Sequence, residues 1–157
     1  MSRRKFLVVA DDTPEFQAAL RYACRRAHST SGHVAILRVI EPALFEHWSG
    51  VREEIERQAR EEAEAVLRES AEFVQAETGY PPEYLIVHAE TMRLALRQVI
   101  GQDPDIKILV LAAAADSRGP GPLIASLAKE GLRWGERKVP VTLVPGDLTD
   151  AEIAELA

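Results

Sequence analysis

Apolar residues follow two rhythms along this chain. Unbroken runs rich in branched side chains recur at 6–10 (FLVVA), 33–40 (HVAILRVI), 84–89 (YLIVHA), 106–113 (IKILVLAA) and 139–144 (VPVTLV). Runs without polar alternation predict strands covered on both faces, as in a parallel sheet. Between them the apolar positions fall at helical spacing: Phe16, Ala19, Leu20, Ala23 and Ala27, then Val51, Ile55, Ala59, Ala63, Val66, Leu67 and Val74, then Met92, Ala95, Leu96, Val99 and Ile100. A fourth helical pattern runs over 122–134. Glu and Arg fill the outer faces of the second helix, with many pairs three or four residues apart.

The breaks between elements have their own chemistry. Thr13, Pro14 and Glu15 predict a helix start with Thr13 as N-cap and Pro14 at the first helical position. Pro42 stops the second strand, Gly79 suits a helix end, and Glu90-Thr91 opens the third helix. Thr149-Asp150-Ala151-Glu152 reads as a capping box, with Leu148 and Ile153 placed as a hydrophobic staple. A short helix is expected there, too short to stand unless it docks. Pro140 inside the last run favours an edge position for that strand. An edge strand is a pairing hazard unless covered, and the simplest cover is the same strand of a second copy. A homodimer through the last strand, from Val139 to Val144, is therefore expected.

Strand and helix alternate throughout, so the expected architecture is α/β, a single open five-stranded parallel sheet with helices on both faces. The main domain is expected over 1–146, with a tail carrying the short helix over 147–157. At 157 residues such a domain buries about 68–70% of its unfolded surface and needs no disulfide or structural metal. The single cysteine, Cys24, fits a reducing, cytoplasmic setting, and its place among alanines reads as packing. A net charge of −6 argues against nucleic acid or an anionic membrane as partner.

The order and spacing of FLVVADDTPE, AILRVIEP, DIKILVLA and PVTLVP resemble the universal stress protein family over nearly the whole chain. The resemblance implies the adenine-nucleotide α-hydrolase-like fold, a dimer through the last strand, no catalysis in most members, and a role in stress survival or signalling. One branch of that family binds ATP or AMP through G-x2-G-x9-G-[ST] after the fourth strand. Laid over this chain, the motif falls on Ala112, Ala115, Ala125 and Ser126. The spacing and the serine are kept, and all three glycines are alanines. Glycine allows positive φ and close approach of backbone to phosphate, and alanine adds a methyl at each place.

The resemblance gives two further ligand positions. Asp11 matches the acidic residue at the adenine or ribose end, and Val39 matches the second-strand residue whose backbone meets adenine. Each has a plainer role, Asp11 in turn chemistry and Val39 as a strand residue. Gly119 and Gly121, with Arg118 or Ser117, offer a shifted phosphate loop, against which Pro120 and Pro122 lack an N–H. Two functions stay open: a non-enzymatic dimer acting through protein contacts with a degenerate pocket and no cofactor, or an ATP- or AMP-binding regulator using Asp11, Val39, Ser126 and Arg118. No metal site is expected, because His28, His33, His47 and His88 lack ligand spacing. His88, at a strand end, is the histidine to test. The loop with Phe45, His47 and Trp48 is a candidate lid or partner contact.

Overall fold

The structure is a computed structural model and describes residues 3–42, 49–114 and 121–157. In chain order the elements are β1 (Lys5–Val9), α1 (Phe16–Thr30), β2 (His33–Ile40), α2 (Ser49–Thr78), β3 (Glu83–His88) and α3 (Met92–Gln102). Then follow β4 (Ile106–Ala113), α4 (Pro122–Glu130), β5 (Arg133–Trp134), β6 (Arg137–Lys138), β7 (Val141–Pro145) and α5 (Asp150–Leu156). Five strands form one parallel sheet in the order β3-β2-β1-β4-β7. The chain starts in the middle, winds outward through β2 and β3, and crosses back to β4. The switch point lies between β1 and β4, and a crevice opens there at the carboxyl ends of the strands.

The two faces of β1 feed two cores. Phe6 and Val8 pack with Leu20, Ala23 and Ala27 of α1 and Leu67 and Val74 of α2. Leu7 and Val9 pack with Leu96, Val99 and Ile100 of α3 and with Trp134. Leu7, Leu37, Leu96 and Leu109 are wholly buried, and each such side chain contributes about 1.5–3 kcal/mol of transfer free energy.

The last third of the chain departs from the expected pattern. The helix expected over 122–134 stops at Glu130, where Gly131 takes φ 77°. Arg133 to Lys138 then form a small antiparallel hairpin, with Trp134 opposite Arg137. Its two-residue turn has Gly135 first at φ 67°, while Glu136 has no positive φ, as a type II′ turn requires. The Arg137 guanidinium fixes the hairpin to the end of α3: Nη1 donates to the Ile100 and Asp103 carbonyls at 2.8 and 2.7 Å, and Nη2 to Ile106 at 2.8 Å. These non-local bonds draw Trp134 away from a continuing helix and into the second core.

Pro140 precedes the ladder rather than sitting in it. The strand β7 begins at Val141, and the Pro140 carbonyl accepts from the Leu109 N–H at 3.0 Å. The edge position holds, but the proline is not its cause. Thr13 is not the cap of α1: the helix begins at Phe16 after Glu15, and the Thr13 hydroxyl instead bonds the Asp11 carboxylate. The capping box at Thr149 forms as expected, with Glu152 N–H donating to Oγ1 at 3.2 Å and Thr149 N–H donating to Oε1 at 3.0 Å. Ile153 is buried, Leu148 packs on the first core, and Arg21 of α1 pairs with Asp150 at 2.9 Å. The short helix docks on its own chain. Among the described residues no helix is long and apolar enough to cross a membrane.

Candidate functional site

The crevice at the switch point is a cleft of about 1090 Å³. The β1–α1 turn supplies Asp11, Thr13 and Glu15, and the end of β4 supplies Ala112 and Ala114. The start of α3 brings Arg93, Leu94 and Arg97. Gly121, Leu123, Ile124 and Ser126 come from the start of α4, and Arg133, Trp134 and Gly135 from the hairpin. Asp11, Ala112 and Ser126 are thus brought together. Val39 and Ala125 are not among the lining residues. Ala115 and Arg118 lie outside the described residues, as do Ser117, Gly119 and the loop with Phe45, His47 and Trp48.

Asp11 follows β1, where the ladder to β2 ends with the Ala10 N–H donating to the Leu37 carbonyl at 2.8 Å. Its Oδ1 accepts from the Thr13 N–H at 3.0 Å and from the Thr13 hydroxyl, so the carboxylate shapes the turn in which it sits. Arg38 ties the same turn to β2. Its Nη1 donates to the Ala10 carbonyl and its Nη2 to Asp12 Oδ1, both at 2.9 Å. Val39, one residue on, pairs with Val87 of β3 and packs into the second core.

Ala112 and Ala125 occupy ordinary backbone. The first is a β4 residue in register with Val144, the second a residue of the first turn of α4, and neither has positive φ. Steric crowding, not backbone strain, is therefore what their methyls add. Ahead of α4, Gly121 sits at φ 95° and Pro122 follows, so the first helical position has no N–H to offer.

Ser126 is engaged by the protein itself. Its hydroxyl donates to the Leu123 carbonyl at 2.8 Å and accepts from Arg93 Nη1 at 3.3 Å. Arg93 is the hub of this wall. Its Nη2 donates to the Gly131 carbonyl at 2.8 Å, its Nε pairs with Glu130 at 2.9 Å, and its guanidinium lies 4.7 Å from the centre of the Trp134 ring. One side chain at the start of α3 thus holds both the end of α4 and the hairpin. The Trp134 indole Nε1 is buried and has no hydrogen-bond partner among the described residues. Leaving such a donor unpaired costs about 1–3 kcal/mol.

The cleft is electrically divided. Asp11, Glu15 and Glu41 line it from the β1 and β2 side, and Arg93, Arg97 and Arg133 from the α3 and hairpin side, where Glu90 and the Arg93-paired Glu130 also lie. Sequence reasoning passed over these arginines. The signal was there in Arg93 and Arg97, four apart on one face of a helix that begins at the carboxyl edge of the sheet. Nothing in the sequence ties Trp134 to them.

The other candidates lie elsewhere. Cys24 is buried in the first core, and burial, helped by the charge of Glu77, pushes its thiol up to about 12. It is a packing residue. His88 ends β3, exposed, and is not among the residues lining the cleft. Among the described residues no group of His, Cys, Asp and Glu is arranged to hold a metal.

A five-stranded parallel sheet in this order, with a cleft at its switch point, defines an α/β protein of the doubly wound kind. The Universal stress protein family matches residues 2–153, and the chain belongs to that family. No curated protein matches it. Solved structures share its fold. The universal stress protein UspA from Lactobacillus plantarum superposes with a TM-score of 0.75 at 17% identity, over 92% of this chain and 99% of that one. A universal stress protein in complex with cAMP gives 0.65 at 16% identity, over 94% and 100%. The universal stress protein from Archaeoglobus fulgidus in complex with dAMP gives 0.58 at 16% identity, over 92% and 99%.

Proposed function

We propose that this chain is a non-enzymatic stress-response regulator acting as a dimer through protein contacts, its cleft no longer built to cradle a nucleotide phosphate. The observation that carries the reading is Ser126: the hydroxyl retained from the phosphate motif is bonded to Leu123 and Arg93 within the protein. The alanines at 112, 115 and 125 and the missing N–H of Pro122 act in the same direction. The dimer is supported by β7, a sheet edge on which Leu143 is 48% exposed. The test is mass spectrometry of the purified protein after denaturation, with light scattering on the native sample. No stoichiometric ATP or AMP and twice the chain mass are expected. Nucleotide near one per chain overturns the nucleotide-free cleft, and a single chain's mass at micromolar concentration overturns the dimer.

A second reading rests on the cleft itself. It lies at the switch point, holds about 1090 Å³ and keeps Asp11 on its rim. Two proteins of the same fold bind cAMP and dAMP. In this reading an adenosine monophosphate sits with its sugar near Asp11. Calorimetric titration with AMP separates the two, and an Asp11→Ala variant that abolishes binding favours the second.

A further inference from the structure

We propose that the α3 and hairpin wall of the cleft is a binding subsite for the phosphate or carboxylate group of a small molecule, held by Arg97 and Arg133 with the Trp134 indole N–H beside them. The inference stands apart from either reading of the nucleotide question, since it uses none of the motif positions. Three observations meet in it. First, Arg97 and Arg133 are exposed, line the cleft, and have no ion pair among the described residues, in a chain whose net charge is −6. Arg93, by contrast, is paired with Glu130. Second, Trp134 lines the same cleft and carries the buried Nε1 that lacks an acceptor among the described residues. Buried polar groups nearly always have a partner, and one without is where a ligand or ion is to be looked for.

Third, the backbone makes room for Arg97 to lie against the hairpin. A Cβ at Gly135 would stand 3.2 Å from Arg97 Nε and 3.5 Å from its Cγ, on a residue held at φ 67°. The glycine thus serves the turn and also lets the Arg97 side chain lie against the residue that follows Trp134. The carboxylates facing the wall are Glu130, which is taken by Arg93, and Glu90, exposed at the foot of α3. Asp11, Glu15 and Glu41 lie across the cleft. A planar guanidinium matches the two oxygens of a carboxylate or phosphate, and the acidic far side suits a ligand whose other end carries donors such as hydroxyls or an amine.

The test is an NMR titration following the Trp134 indole N–H, assigned by its loss in a Trp134→Phe variant. Inorganic phosphate and succinate are added separately, with sodium chloride at matched ionic strength as control. A saturable shift with phosphate or succinate, absent with chloride, is expected, and the tighter of the two anions names the group. Arg97→Ala and Arg133→Ala should each weaken binding about tenfold, while Arg25→Ala, on the far side of α1, leaves it unchanged. Both arginines are exposed, so an unchanged melting temperature confirms that the variants fold. No shift beyond that given by chloride, or equal affinity in the Arg97→Ala variant, overturns the proposal.

Discussion

Arg93 donates from Nη1 to the hydroxyl of Ser126 at 3.3 Å, although the two residues start different helices. The contact makes the serine, whose hydroxyl also donates to the Leu123 carbonyl, part of a clamp. The same guanidinium reaches Glu130, the Gly131 carbonyl and the face of Trp134. Arg93→Ala should therefore destabilise the fold by about 1–3 kcal/mol. Hydrogen exchange should show the loss concentrated in α4 and the hairpin, with β1 and β2 unaffected. Arg93→Lys keeps the charge but not the fork and should recover less than half of it.

Gly146 sits where the chain leaves β7 and passes beside Glu15. Its N–H donates to the Ala113 carbonyl at 2.8 Å, and a Cβ there would run into Glu15 Cγ and stand 2.6 Å from the Ala113 oxygen. Gly146→Ala must displace either Glu15, a buried residue on the cleft rim, or the backbone. A loss of about 1–3 kcal/mol in urea denaturation is expected. The double variant Gly146→Ala, Glu15→Ala should lose less than the sum of the two single changes, because one clash is relieved.

The Lys5 ammonium lies 2.6 Å from both Asp103 and Glu83 and ties β1 to the loop before β4 and to the edge strand β3. Burial opposes the charge on Asp103, but hydrogen bonds from Lys5 and the Asp105 N–H outweigh it and hold the carboxyl below its ordinary range. Burial opposes the Lys5 charge too, and its bonds to Asp103 and Glu83 outweigh it, raising that group. The Asp103 share of stability is full above about pH 4, the unfolded value, and is lost as pH falls through the lower folded value. The Lys5 share is full below about pH 10.4 and is lost as pH rises through the higher folded value. Asp103→Asn should flatten both limbs of a plot of urea midpoint against pH. A wild-type slope below pH 4 in that variant would refute the assignment.

Thr149 and Glu152 cap α5 reciprocally, and Ile153 behind them is buried. Thr149→Ala should cost about 1 kcal/mol. The signature is faster amide exchange in α5 with little change in β4.

The fold is legible in the sequence where local signals and the sheet agree. Unbroken runs such as Ile106–Ala113 needed no distant partner to be recognised as strands, and the Thr149 box is local by construction. It is not legible over 131–138, where a helix is expected to Trp134, because two-residue strands leave no periodicity. What places them is Arg137 reaching back to Ile100, Asp103 and Ile106, and Arg93 reaching forward to Gly131. The site divides in the same way. Ser126 is marked by the family motif and Asp11 by the family resemblance, and both line the cleft, whereas the arginine wall depends on a hairpin that only the folded chain reveals.

The sealed thiol of Cys24 has a practical corollary. It sits under α2 at the heart of the first core, and its poor acidity keeps it unreactive while the core is closed. Alkylating reagents should mark this position only in molecules that have opened. The chain therefore carries its own clock for unfolding, readable by mass spectrometry without any added label.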